Sequence, residues 1–277
     1  MVVLVTGANG YIGRHVVTAL LDKGARVIAC DVTCDGVDKR AEIRELNLFT
    51  PSSGNIYEEL GSPDVCLHMA WRNGFVHNAS TQMGDLSAHY NFLISMIDGG
   101  LKHLAVMGTM HEIGYWEGMI DERTPCNPVS MYGIAKDALR RSLFLYATQK
   151  EICIQWLRAY YILGDDRHSN SIFAKLLLAA EAGSKTFPFT SGKNKYDFIT
   201  VGELSHQISS AVLQTEINGI INCCSGIPMT LAERVEQFIA ENKLNISLDY
   251  GAFPDRPYDS PCVYGDPTKI NEILVLK

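Results

Sequence analysis

The chain has 277 residues, 31 of them acidic and 24 basic, for a formal net charge of −7. That length can bury a large core as one big domain, or as one domain with a smaller lobe, and an acidic balance without a basic stripe argues against nucleic acid as a partner. No apolar run approaches the roughly 20 residues that span a bilayer, and the first residues read as a core strand rather than a signal peptide, so a cytoplasmic protein without membrane contact is expected.

Met1-Val-Val-Leu-Val-Thr6 is a short β-branched strand, followed at once by Gly7-Ala-Asn-Gly10-Tyr-Ile-Gly13. Val16, Val17, Leu20 and Leu21 recur at helical spacing, Gly24 stops that helix, and Arg26 to Cys30 is a second strand with Asp31 at its tip. Gly7 lets the chain turn off the strand, Gly10 lets backbone approach a pyrophosphate, and Gly13 is expected to let the helix pack close to the sheet. Amides at the helix start, near Tyr11 and Ile12, face the phosphates with the positive end of the dipole behind them. Asp31 stands where a carboxylate accepts hydrogen bonds from an adenosine ribose. A glycine turn between strand and helix, with an acid on the next strand, predicts a bound dinucleotide. The carboxylate repels a 2′-phosphate and so favours NAD; Arg14 is the one residue in the motif that leaves NADP possible.

Val32 to Arg40 is a polar turn region. A third strand runs from Ile43 and ends at Asn47, a short helix covers Ile56 to Leu60, and Asp64 to Ala70 is a buried fourth strand. Trp71 to Asn78 is irregular and lies at a strand C-terminus, where doubly wound sheets bind ligands. Leu86 to Ile97 is helical, and His103 to Met107 is the fifth strand, followed by Gly108-Thr109. Asp121 to Val129 is a loop. Ser130 caps a long helix, Met131 to Thr148, and Ile152 to Arg158 is the sixth strand. This alternation predicts a parallel sheet covered on both faces: an α/β, doubly wound Rossmann fold over residues 1–164. After Gly164 come short helices (171–182, 201–214, 231–242) and brief extended pieces (187–190, 220–223, 246–250). Residues 165–277 are therefore expected to form mainly a smaller substrate-binding lobe, with part of 198–225 returning to the sheet. The eight cysteines hold no C-x-x-C pair, and four lie in strand-like runs (Cys30, Cys66, Cys153, Cys223). Reduced buried thiols are expected, with no disulfide and no metal site.

Tyr132-Gly-Ile-Ala-Lys136 puts a phenol and an ammonium on one helix face. The ammonium is expected to lower the phenol pKa toward proton exchange and to hold a ribose hydroxyl. Thr109, following the fifth strand, can donate to a carbonyl oxygen. A strand-end hydroxyl, a Tyr–Lys helix and an N-terminal dinucleotide unit make a carbonyl/alcohol redox site. His111 is either a second acid or a pocket-lining residue, Trp71 either a cofactor wall or packing, and the 165–168 stretch either a ligand contact or a charged surface loop.

These motifs resemble the extended short-chain dehydrogenase/reductases, specifically the NAD-dependent epimerase/dehydratase family that acts on nucleotide sugars, over nearly the whole chain. Thr6 to Gly13 is similar to the family's opening motif, Asn47-Leu48 to its adenine contact, and His68-Met-Ala-Trp71 to its H-x-A strand end. Arg158-Ala-Tyr-Tyr-Ile-Leu-Gly164 resembles R-x-x-N-V-Y-G, Tyr196-Asp-Phe-Ile resembles R-D-F-[IV], and Arg256-Pro257 resembles a diphosphate-binding arginine. The resemblance implies Thr109, Tyr132 and Lys136 as catalytic residues. It implies cofactor contacts from Gly7, Asn9, Gly10, Tyr11, Ile12, Gly13, Asp31, Asn47, Leu48, Met69, Ala70, Trp71 and Tyr160, with Tyr132 and Lys136. Substrate contacts are implied for His111, Tyr161, Lys195 and Arg256. It also implies a homodimer through a four-helix bundle of the Leu86–Ile97 and Met131–Thr148 helices, although Leu139, Leu143, Phe144 and Tyr146 are equally consistent with packing on the sheet.

Three departures bear on activity. Tyr161 replaces the usual asparagine, Tyr196 replaces an arginine whose charge Lys193 or Lys195 would then supply, and the family's last helix is expected to be short or absent. The 4,6-dehydratases of the family carry Asp-Glu after the hydroxyl residue; Met110-His111 stands there instead. Two reactions remain: reduction of the 4-keto group of a nucleoside-diphosphate 4-keto-6-deoxyhexose, favoured here, or 4-epimerisation with tightly held NAD. A dinucleotide-sensing protein without chemistry is the third reading, against which the intact Thr109, Tyr132 and Lys136 argue.

Overall fold

In the computed structural model, which describes residues 1–50, 54–164, 171–255 and 259–276, strand and helix alternate from the start. The first half runs β1 (Val2–Thr6), α1 (Tyr11–Asp22), β2 (Arg26–Asp31), β3 (Glu42–Glu45), α2 (Ile56–Glu59), β4 (Val65–His68), α3 (Thr81–Gly84), α4 (Leu86–Gly99), β5 (His103–Thr109), β6 (Gly118–Ile120), α5 (Met131–Lys150) and β7 (Cys153–Ala159). Shorter pieces follow: β8 (Tyr161–Leu163), α6 (Ile172–Glu181), β9 (Thr186–Pro188), β10 (Lys195–Thr200), α7 (Val201–Val212), β11 (Gly219–Cys223), β12 (Pro228–Thr230), α8 (Leu231–Glu241), β13 (Ser247–Asp249), β14 (Cys262–Gly265) and α9 (Thr268–Val275).

Seven strands form the main sheet in the order β11-β7-β5-β4-β1-β2-β3. Every neighbouring pair is parallel. Strand alternation divides the core between the two faces. Val3 and Val5 pack with α1, α7 and α9, whereas Leu4 between them packs with α4 and α5. Leu139 and Leu143 belong to this second cluster and are fully buried in it, so they serve the sheet. The strand order reverses at β1, between β2 and β4, which opens the switch-point crevice at its C-terminal end.

A second, five-stranded sheet has the order β12-β10-β14-β6, with β8 also on β10. It stands beyond the C-terminal ends of β5 and β7, because β5 leads to β6 and β7 leads to β8. Two of its strands, β6 and β14, fall in stretches whose sequence gives no strand pattern; each is only three or four residues long and pairs with a partner far along the chain. β3 ends at Glu45, so Asn47 and Leu48 lie in the turn after it. There the Asn47 side chain accepts the Phe49 N–H, a turn-forming habit of asparagine. β5 continues through Thr109, whose partner is Ala159. The last helix, α9, is present and is eight residues long.

Candidate active site

The glycine turn is shaped by close backbone approach. Gly7 has φ +70°, and a Cβ there would stand 2.6 Å from the Ala70 nitrogen, so the glycine seats the end of β1 against the end of β4. A Cβ on Gly13 would stand 2.1 Å from the Gly7 carbonyl oxygen. Gly13 therefore packs α1 onto the turn itself rather than onto the sheet. Gly10 has ordinary dihedrals, φ −65° and ψ 166°, as the N-cap of α1. Neither a side-chain cap nor an acid occupies the first turn of that helix, and a Cβ on Gly10 would stand 3.1 Å from the Gly7 carbonyl oxygen, a tight contact within the turn. Asp31 accepts the Asn9 N–H at 3.0 Å and the Val32 N–H at 2.8 Å, which fixes the carboxylate beside the turn with acceptor capacity to spare. The Asn9 side chain accepts from the Gly36 N–H, and Arg14 lies against Gly36. This cradle fits a dinucleotide whose diphosphate meets the helix start and whose ribose meets Asp31.

His68 is a structural residue of this wall. Its Nδ1 lies 2.8 Å from Thr6 Oγ1 and its Nε2 lies 2.9 Å from His89 Nδ1. Burial holds His68 well below the ordinary imidazole range and His89 down at about 3. Trp71 stacks on His89 with ring centroids 4.3 Å apart and donates to Gln82. Phe49, next to Leu48, meets His89 edge-on.

Tyr132 and Lys136 sit one turn apart on α5, which Ser130 caps by accepting the Gly133 N–H. Lys136 Nζ donates to the Met107 carbonyl at 2.8 Å and lies 3.9 Å from the centre of the Trp71 ring. Burial brings its pKa down to about 7, partly opposed by Glu112. The expected lowering of the tyrosine is absent. Enclosure pushes the Tyr132 phenol up to about 12, against a Thr109 hydrogen bond that favours the phenolate and with the Glu112 charge adding to the rise. Desolvation therefore outweighs any help from an ammonium that is itself half neutralised and directed at a carbonyl and an indole.

Glu112 is the group that residue-by-residue reading missed. Thr109 and Glu112 form a capping box around the 110–112 turn: His111 N–H donates to Thr109 Oγ1, and Thr109 N–H donates to Glu112 Oε1 at 2.7 Å. The spacing Thr-x-x-Glu carries this signal in the sequence. The fully buried carboxylate also accepts from Trp156 Nε1 at 2.8 Å and pairs with Arg158 at 3.5 Å. Asp197 of the Tyr-Asp-Phe motif is likewise a buried brace, accepting from the Ser225, Gly226 and Gly265 amides.

The expected substrate residues are less concentrated. His111 stands 6.1 Å from Tyr132 between ring centroids. Tyr161 packs on Tyr196 at 4.3 Å, so two of the departures from the family motif meet as one aromatic pair. Lys195 is exposed at the start of β10, near Glu233. Tyr160 is buried against Gly265 and Cys224, and its hydroxyl finds no hydrogen-bond partner among the described residues. Arg256 and the 165–168 stretch lie outside the described residues.

A model of the NAD dependent epimerase/dehydratase family matches residues 3–224. The dTDP-6-deoxy-L-talose 4-dehydrogenase (NAD(+)) of Aggregatibacter actinomycetemcomitans is 45% identical over 271 residues, covering 96% of this chain and 99% of that protein. UDP-arabinose 4-epimerase 1 of Arabidopsis thaliana is 27% identical, covering 98% and 74%. Among solved structures, the UDP-N-acetylglucosamine 4-epimerase of Methanobrevibacter ruminantium M1 superposes with a TM-score of 0.85 at 21% identity, covering 99% and 92%.

Proposed function

The chain belongs to the NAD-dependent epimerase/dehydratase family and is an NAD-dependent enzyme, and from that premise we propose that it interconverts the C4 ketone and C4 alcohol of a nucleoside-diphosphate 6-deoxyhexose, working as a 4-keto reductase. The observation that carries this reading is that the turn beside Tyr132 has one carboxylate, Glu112, and that it is spent on Thr109, Trp156 and Arg158. Dehydration needs a free acid–base pair at that turn, and Glu112 is not free.

When bound at the glycine turn, the nicotinamide cofactor would supply the hydride, or accept it in the reverse direction. Tyr132 holds a proton at its hydroxyl throughout the neutral range and passes it to the sugar C4 oxygen, forming the O–H bond as hydride forms the C–H bond and the carbonyl π bond breaks. Thr109 orients that oxygen. Lys136, close to neutral charge balance at physiological pH, holds the nicotinamide ribose. In the oxidative direction the phenol must first lose its proton, so raised pH favours it. His111, beside Tyr132, together with Tyr161 and Lys195, is assigned to the sugar and diphosphate side. The relative named for dTDP-6-deoxy-L-talose supports a dTDP-6-deoxyhexose as the first substrate to try.

A homodimer goes with this reading. Met131, Ile134 and Leu145 are exposed along one stripe of α5. Beside it Met83, Leu86, Ser87, Tyr90, Ala138 and Ser142 border a groove of about 290 Å³, a surface suited to the same helices of a second copy. The described cysteines are all unpaired, which suits the reducing cytoplasm. No helix among the described residues is long and apolar enough to cross a membrane.

The test is to supply dTDP-4-keto-6-deoxyhexoses and NADH and follow loss of reduced-nicotinamide absorbance. Stoichiometric consumption supports the reductase. Conversion of a 4-hydroxy sugar to its 4-epimer without net change in cofactor would establish the epimerase instead.

A further inference from the structure

The segment after β4 folds back over the start of α5. The His77 carbonyl accepts the Tyr132 N–H at 2.8 Å, and Asn78 Oδ1 accepts the Met131 N–H at 3.1 Å. These bonds lay the His77 imidazole face-on against the Tyr132 phenol, with centroids 5.2 Å apart and planes 19° from parallel. The same imidazole meets His111 at 4.4 Å, and His111 comes from the Thr109 turn. Two segments distant in sequence thus bring two imidazoles to one phenol. Among the described residues, no hydrogen bond reaches a ring nitrogen of either histidine. Burial holds both below the ordinary imidazole range, His111 at about 4, and no carboxylate opposes it. Each is therefore neutral at physiological pH and offers one donor and one acceptor. That pattern suits a sugar hydroxyl, which also donates and accepts, and does not suit a carboxylate or phosphate.

We propose that His77 is a substrate-selecting residue that, with His111, hydrogen-bonds the sugar hydroxyl on the carbon next to the reacting one. This rests on the reading of the site as a C4 oxidoreductase of nucleotide sugars. In a 6-deoxyhexose the carbons flanking C4 are C3, which carries a hydroxyl, and C5, which carries the ring oxygen and a methyl group. The hydroxyl that His77 reads is therefore the one on C3.

His77→Phe keeps an aromatic ring, slightly larger, on Tyr132 and keeps the carbonyl that holds α5, while it removes the ring nitrogens. Turnover and calorimetric binding, in the presence of NAD, are compared for a dTDP-6-deoxyhexose and its 3-deoxy analogue. The variant is expected to lose about 10- to 100-fold in kcat/KM and in affinity for the 3-hydroxy sugar. It should lose less than about threefold for the 3-deoxy sugar, and His77→Gln should recover part of the loss. Equal losses on both sugars, or no loss on either, overturn the proposal. If the wild type binds nucleotide sugars without turning them over, and His77→Phe still weakens only the 3-hydroxy sugar, the reaction assignment falls and the role of His77 stands. If the wild type binds neither sugar, both fall.

Discussion

The glycine turn at the end of β1 and the pocket around Tyr132 lie at the same edge of the sheet and are built in opposite ways. The turn is largely local: Gly10, Gly13 and Asp31 are held by contacts within one strand–helix–strand unit, and Gly7 alone reaches out of it, to the backbone at the end of β4. The pocket is assembled from residues 71–77, 89, 109–112 and 132–136, joined by rings and buried charge. In the turn, sterics set the role of each residue. In the pocket, desolvation sets it, and a residue's charge state depends on everything packed around it.

The largest effect that separates the two is Tyr132→Phe. It deletes the proton donor and leaves the turn untouched. Turnover is expected to fall about 100- to 10,000-fold, with NAD affinity unchanged by fluorescence titration. Retained turnover would remove Tyr132 from the mechanism.

Gly13→Ala probes the other half. The added methyl would stand 2.1 Å from the Gly7 oxygen and 2.9 Å from the Ala8 oxygen. Both are backbone atoms that cannot swing aside, so the turn must open. A stability cost of about 1–3 kcal/mol is expected. NAD affinity should fall by at least about tenfold. Urea unfolding with and without NAD reads both, and an alanine that binds NAD normally would show that the close approach is dispensable.

These two variants also mark what the sequence makes visible. The turn is legible because its physics is contained in a few consecutive residues, and a strand, three glycines and an acid have few other uses in that order. The pairing of Tyr132 with Lys136 on one helix face is legible too, from spacing alone. Its electrostatic outcome is not, since the path of Lys136 to Met107 and Trp71 depends on β5 and on the segment after β4. Glu112 was readable as a capping box, but its burial against Trp156 and Arg158 required β7 to be placed beside β5. Nothing local announces that residues 71–80 cover the start of α5, which is why His77 is invisible without the fold. The short strands β6 and β14 are missed for the same reason.

Lys136 offers a pH test of the claim that burial governs the pocket. Its folded pKa is about 7 against an ordinary 10.5. Between those values the unfolded chain holds a proton that the folded chain does not, so stability rises with pH across that window and is lost as pH falls toward 7. Lys136→Met removes the titration. Measured against that variant by urea unfolding, the wild type is expected to gain on the order of 2–4 kcal/mol between pH 7 and 10. A flat difference would mean that the ammonium is solvated, and the expected lowering of the Tyr132 pKa would return with it.

The smallest effect bears on the turn alone. Asp31 holds Asn9 and Val32 through their amides and keeps a negative charge beside the ribose position. Asp31→Asn retains one acceptor oxygen and removes the charge, so NAD affinity should weaken only several-fold while rejection of a 2′-phosphate relaxes about tenfold. Arg14, lying against Gly36 on the same rim, is the cation positioned to receive that phosphate once the repulsion is gone. The comparison of NAD with NADP in the wild type and the variant, measured as kcat/KM, separates the two contributions. A ratio that shifts in Asp31→Asn and reverts in the Asp31→Asn, Arg14→Ala double variant assigns selectivity to the opposed pair. A ratio that does not shift assigns it to the shape of the Thr33–Gly36 loop, and local sterics would then govern cofactor choice at the turn as they govern its backbone.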